Sequence, residues 1–200
     1  MSDGDAAAWP AAFEGVVETV VTTRGPNGRW NVAALGVHAG APVTARTWGR
    51  TRTRRNFERE GGGYVQFVTD PVLFVDAALS VRETDDPVLA DAAAWVRVSV
   101  DRRDSGTEDG TEWVAWALTP VESAVVETSV PTLDRGTAAV VEATVAASRL
   151  GVRGFEDDRL RARLEYFADV ADRCGGPRVA EAMDRVASLA DWRRGGNESF

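Results

Sequence analysis

Between Arg50 and Asn56 the chain reads Arg-Thr-Arg-Thr-Arg-Arg-Asn, a cationic island in a protein whose net charge is -8. Such an island has two readings. As an anion site, Arg50, Thr51, Arg52, Thr53 and Asn56 offer what a phosphomonoester requires. Guanidinium groups meet its charge, hydroxyls and an amide meet its oxygens, and a helix start adds free N–H groups. As a solvated turn, the same arginines pair with surface carboxylates. Asn31 is the second candidate. It is a poor strand former inside a strong strand, beside Ala33, Ala34 and Gly36. Small residues there leave room for a flat ligand whose heteroatoms an amide can bond; the alternative is a strand-start residue satisfied by the neighbouring turn.

Other residues carry less. With His38 the one histidine, a Ser-His-Asp or histidine-rich metal site is not expected, and His38 reads as a strand end. Trp113 and Trp116 stand three apart on a strand, on opposite faces, so they read as core and rim. Glu142 is expected as a buried carboxylate paired with Arg149 or Arg135. Asp85–Asp86 and Asp157–Asp158 read as turns and caps. Cys174 is the one cysteine, which excludes an intramolecular disulfide and cysteine-rich metal sites; it reads as a small packing residue.

The elements that must position these residues are mostly strands up to about Val126. Gly15–Thr23 is β-branched, Arg24–Arg29 has the turn chemistry of a hairpin, and Trp30–His38 is the returning strand. Val43–Trp48 is a third strand. Arg54–Glu60 is a short helix that Thr53 would cap and Gly61–Gly63 would end. Tyr64–Thr69 is a fourth strand, and Pro71–Leu79, capped by Asp70, an apolar helix closing the barrel. Ser80–Ala94 reads as an acidic connection with a helical turn after Pro87. Trp95–Asp101 and Glu112–Thr119 pair across a loop at Arg102–Thr111. Pro120 interrupts the second, and Glu122–Thr128 continues as an edge. Six or seven short antiparallel strands with two small helices make a closed or nearly closed barrel. From Asp134 three helices follow: Arg135–Leu150, Arg159–Cys174 with Asp157 or Asp158 as cap, and one begun by Pro177. The expected organisation is a tail at 1–12, a β domain over 13–128, a helical subdomain over 129–194 and a tail at 195–200.

Composition bounds the setting. All 23 basic residues are arginine, there are 31 acidic ones, and neither lysine nor isoleucine occurs. This resembles a GC-rich, salt-adapted proteome such as a haloarchaeon's, or coding bias alone. An acidic surface argues against nucleic acid and anionic membranes as partners. No run approaches the roughly 18 apolar residues that span a bilayer. Without a basic leader or disulfides, the expected location is the cytoplasm.

The segments GVVETVVTTRGPNGRWNVAALGV, RTRTRRNFE, YVQFVTDPVLFVDAAL and LDRGTAAVVEATVAASRLGV, in this order and spacing, resemble the flavin-reductase-like FMN-binding split barrels. More narrowly, they resemble a mostly archaeal family with a helical C-terminal extension. The resemblance implies a split β-barrel followed by a three-helix subdomain, and a homodimer with FMN at the subunit interface. It places the phosphate against Thr51, Arg52, Thr53 and Asn56, with Asn31, Ala33 and Ala34 beside the isoalloxazine. Arg46 and Gln66 are further candidates for the cofactor site. It implies a flavin-dependent oxidoreductase of unstated substrate, in which no side chain need act as a catalytic acid. A deazaflavin in place of FMN, or a non-catalytic dimeric interaction protein, are the alternatives.

Overall fold

The computed structural model describes residues 8–192. The tail expected at 195–200 and the first seven residues of that expected at 1–12 lie outside them. Within the described residues the chain forms two compact units. One takes in the residues up to Thr69 together with Val81–Ser129; the other takes in Asp70–Ser80 and the chain from Val130 onward.

The first unit is a barrel of seven antiparallel strands: β1 (Val16–Arg24), β2 (Trp30–His38), β3 (Val43–Trp48), β4 (Gly62–Val68), β5 (Arg82–Thr84), β6 (Ala92–Glu108) and β7 (Thr111–Val125). Six of them close in the order β1-β4-β6-β7-β3-β2, with β2 pairing back onto β1, and β5 adds to β2. Alternating apolar residues drive this closure. Val21, Leu35, Val37, Val65, Val96, Val98, Val114 and Trp116 all point into one core. This is the fold the resemblance implied.

Three features of the barrel differ from the expected elements. Arg102–Thr111 is not a loop: β6 and β7 stay paired from Ala94↔Val125 to Glu108↔Thr111. They turn at Asp109 and Gly110, both at positive φ, which is the turn chemistry that favours a two-residue hairpin. The outer half of this hairpin is exposed on both faces, so its polar composition imitates a loop. Pro120 lies within β7 opposite Val98, where the register shifts; the bulge accommodates a residue without an N–H. The third difference is β5, a strand within the stretch Ser80–Ala94 that was expected as an acidic connection. Its three exposed or half-buried residues carry no pattern and are held by pairing to Trp30, Asn31 and Val32 of β2.

β3 pairs with β2 only at Val37–His38. Along Trp30–Val32 the same edge of β2 is taken by β5 instead. The barrel is therefore split at the N-terminal end of β2.

The second unit comprises α2 (Pro71–Leu79), α3 (Arg135–Ala147), α4 (Asp157–Cys174) and α5 (Pro177–Leu189). Their apolar stripes meet in one core: Val75 of α2, Val140 and Ala143 of α3, Leu160 and Leu164 of α4, and Val179, Met183 and Val186 of α5. The expectation that Pro71–Leu79 closes the barrel is thus corrected. Its acidic residues explain the difference, because Asp70 pairs with Arg178 and Asp76 with Arg185, both on α5. Glu142 is half exposed and pairs with Arg163, not Arg135 or Arg149. Cys174 is exposed rather than packed. Glu156, not Asp157 or Asp158, occupies the cap position of α4.

Candidate functional site

The remaining helix, α1 (Arg52–Glu60), follows β3 and plugs the barrel end. Its amphipathic spacing puts Thr53, Asn56 and Phe57 on the buried face. Phe57 meets Trp116 edge-on at 5.4 Å between ring centroids, and the Trp116 indole N–H donates to Thr47 Oγ1 at 2.9 Å. Burying such a ring stabilises by roughly 1.5–3 kcal/mol, enough to fix one helix orientation. Gly61, at φ 67, ends α1 in a left-handed conformation, and its N–H bonds the Phe57 carbonyl. At Gly63 the neighbouring strand is so close that a Cβ would lie 2.7 Å from the Thr22 carbonyl oxygen.

Thr51, not Thr53, caps α1. Its backbone is extended, and its Oγ1 accepts from the Arg54 N–H at 3.2 Å. The helix begins two residues earlier than the polar pattern indicates, so Thr53 falls inside the first turn and is buried. The N–H groups of Arg52 and Thr53 then have no intrahelical acceptor.

Asn56, one turn after Thr53, is wholly engaged by the protein. Its Nδ2 donates to Thr23 Oγ1 at 3.0 Å and to the Thr23 carbonyl at 3.3 Å, and its Oδ1 accepts from Arg59 at 3.0 Å. Arg59 in turn donates to the Arg24 carbonyl. Asn56 therefore ties α1 to the end of β1. Thr23 lies directly across the ladder from Asn31, so the tie fixes α1 to the end of the hairpin at which β2 starts.

Nine polar side chains are buried among the described residues. Seven of them are hydrogen-bonded within the protein. The two without a partner among the described residues are Asn31, 5% exposed, and Thr53, 5% exposed. No fully enclosed side-chain nitrogen or oxygen lacks a partner there, so the polar atoms of both keep a narrow opening to the outside. A buried amide and a buried hydroxyl left open in this way fit a ligand that completes their bonding.

The arginines divide into three kinds. Arg54 is the most engaged: it donates from Nε to Glu58 at 3.1 Å and from Nη1 to Glu112 at 3.1 Å and to the Gly49 carbonyl at 3.2 Å. The Glu58 hydrogen bond is the main reason its pKa is raised; burial opposes it, and the hydrogen bond to Glu112 adds to the rise. Arg52 is held by one nitrogen, donating from Nη1 to Glu83 at 3.0 Å. Arg50 and Arg55 are exposed and make no ion pair among the described residues. The solvated-turn reading thus describes Arg54, while Arg50, Arg52 and Arg55 retain donors to offer.

The other expected residues separate. Asn31 and Ala33 share the inward face of β2, with Ala33 against the barrel core; Ala34, between strand positions 33 and 35, points to the opposite face. Arg46 is exposed on β3, its guanidinium 4.3 Å from the Trp113 ring centroid and 5.5 Å from that of Trp48. Gln66 is fully buried on the outer face of β4. Its Nε2 donates to Thr22 Oγ1 and to the Pro87 carbonyl, each at 3.1 Å, and its Oε1 accepts from the Leu89 N–H at 2.7 Å. Those bonds use both donors and one acceptor position, and they hold the Pro87–Leu89 loop. Glu83 and Thr23 take part in the site and were not expected from sequence. Neither has a local signal, since each arrives through strand pairing.

Comparison with known proteins adds the following. Residues 17–127 match the family model described as protein of unknown function (DUF447) N-terminal domain, and residues 134–188 match the model described as protein of unknown function (DUF447). An FMN-bound protein of the same family from Methanosarcina mazei is 25% identical, with a TM-score of 0.76, over 88% of this chain and 96% of that one. The styrene monooxygenase flavin reductase of Pseudomonas putida S12 is 15% identical over 56% of this chain and 81% of its own, at a TM-score of 0.41. An FMN-binding protein from Thermus thermophilus with bound p-hydroxybenzaldehyde is 14% identical over 63% and 80%, at 0.42. No curated protein matches the chain.

Proposed function

The chain belongs to the DUF447 family, and from that membership we propose that it is an FMN-binding flavoprotein, acting as a homodimeric oxidoreductase with the cofactor at the subunit interface. One observation carries the cofactor assignment. The two buried polar side chains without a partner among the described residues, Asn31 and Thr53, stand at the start of β2 and in the first turn of α1, and the Asn56–Thr23 tie fixes that helix to the same end of the β1–β2 hairpin. The donor set fits the cofactor. Thr53, Arg52 and the unbonded N–H groups of the first helical turn would hold the phosphate, with Arg50 and Arg55 supplying further positive charge. Asn31, which offers both a donor and an acceptor, would bond the polar edge of the ring. The small side chain of Ala33 on the same face leaves that edge accessible. Bound FMN supplies the electron-transfer chemistry. The protein's own part is to bind, align and shield, and none of these side chains is required to move a proton.

The test is a titration of purified protein with FMN, read by the flavin absorbance band and by tryptophan fluorescence, with light scattering for the oligomeric state. The expected result is saturable binding by a dimer, and loss of FMN with retained dimerisation in an Arg52→Ala, Thr53→Ala double variant. Colourless protein whose fluorescence ignores FMN would overturn the cofactor reading. Preferential binding of a deazaflavin in competition would replace FMN with that cofactor.

A further inference from the structure

We propose that Glu83 is a positioning residue for Arg52, holding that guanidinium in advance with its free edge available to the phosphate; the proposal rests on the FMN reading above. Arg52 reaches Glu83 Oε1 through Nη1 alone, at 3.0 Å. Its Nε and Nη2 have no partner among the described residues, which leaves a fork able to take two phosphate oxygens. An arginine that is 47% exposed, as this side chain is, would otherwise have to be ordered when the ligand binds, and about 2 kcal/mol of rotamer entropy resides in such a side chain. Ordering it beforehand removes part of that cost from binding.

Glu83 can do this because it is itself anchored. Its Oε2 accepts from Asn27 Nδ2 at 3.0 Å, and its carbonyl accepts from Arg29 Nη2 at 3.3 Å. The turn between β1 and β2 thereby grips both ends of the residue. Its backbone is also paired across the ladder with Asn31, so one strand register sets both the amide and the guanidinium. The existence of β5 gains a reason: a three-residue strand with no core of its own carries the carboxylate to this place.

The sign of the effect makes the test decisive. A carboxylate near a dianion repels it, so charge alone predicts that removing Glu83 tightens FMN binding. Positioning predicts the reverse. FMN and its phosphate-free form riboflavin are titrated into the wild type and into Glu83→Ala, Glu83→Gln, Arg52→Ala and the Glu83→Ala, Arg52→Ala pair. Glu83→Ala is expected to weaken FMN by about fivefold, the upper range for an exposed pair. Glu83→Gln, which still presents an oxygen to Arg52, restores wild-type affinity or better. Removing Glu83 in the Arg52→Ala background costs nothing further, and riboflavin affinity stays constant throughout. Should Glu83→Ala not fold, Asn27→Ala unties Glu83 without altering its charge and is expected to weaken FMN in the same direction. Unchanged or tighter FMN binding on untying Glu83 overturns this proposal alone. A wild type that binds neither flavin overturns it together with the FMN reading.

Discussion

Two asparagines on the barrel end have opposite roles, and the difference is one of bonding. Asn56 spends its amide on Thr23 and Arg59, whereas Asn31 has no partner among the described residues. The consequences for substitution diverge. Asn56→Ala strands the Thr23 hydroxyl and loosens α1, and should cost about 1–3 kcal/mol in urea unfolding. Thr53→Val forfeits no internal hydrogen bond and keeps the shape, so the ligand-free protein should be as stable as the wild type or more so. The same variant should bind FMN about tenfold more weakly, with riboflavin unaffected. Asn31→Ala should weaken FMN and riboflavin alike, because it acts on the ring they share. A Thr53→Val protein that loses stability yet keeps FMN would reverse the roles drawn for the two sites. Such residues trade stability for function, and they show as polar groups buried without reward until the ligand arrives.

Among the elements, α1 is the one whose placement decides the site, and it is held at both ends. Thr51 caps its start and Gly61 its end. Thr51→Ala should cost about 1 kcal/mol of stability, and it should also weaken FMN, since fraying the first turn disperses the N–H groups aimed at the phosphate; paired denaturation and titration measurements check both. Gly63→Ala acts from the strand side. The added methyl would approach the Thr22 carbonyl oxygen to 2.7 Å, and backbone cannot retreat as a flexible side chain can. A loss of about 1–3 kcal/mol is expected, seen as a lower urea midpoint. The short strand β5 and the long β6–β7 hairpin carry a complementary lesson. Three residues of β5 hold no periodicity to read, and the polar and glycine residues at Arg102–Thr111 conceal a ladder, because local pattern reports burial and not pairing. Where burial and pairing coincide, as in β2, β3 and α2, the residues themselves mark both ends of the element.

For the molecule as a whole, the helical unit has its own core and its own dependence on acid. Burial alone would raise the Asp70 carboxyl, but hydrogen bonds from Arg178 and the Val72 N–H, with the charge of Arg178, carry it below its ordinary pKa. Asp134, the cap of α3, is lowered chiefly by the Thr137 hydroxyl, against the opposing effect of burial, with the N–H groups of Thr137 and Gly136 assisting. A carboxyl whose folded pKa is depressed stabilises fully above its unfolded value, about 3.9. That stabilisation is lost as pH falls through the folded value. The helical signal in circular dichroism should therefore melt at progressively lower temperature as pH falls from about 5 to about 2. Asp134→Asn keeps a capping oxygen without the titration and should flatten that dependence. An unchanged slope in the variant would remove Asp134 from the account.

What the sequence determined by itself follows from local chemistry. Strand alternation, the hairpin turn, the helix punctuation by Asp, Pro and Gly, and the cationic run at Arg50–Asn56 are all properties of neighbours along the chain, so they are legible in order. Tertiary structure decided the rest because the deciding partners are remote. Arg52 meets Glu83 across 31 positions and Arg54 meets Glu112 across 58; only folding distinguishes an arginine bonded through two nitrogens from one held by a single nitrogen. The same holds for Asn31, Asn56 and Gln66. All three are buried amides of similar capacity, and the packing of α1 on β1 and of the Pro87–Leu89 loop on β4 engaged two of them and left Asn31 open.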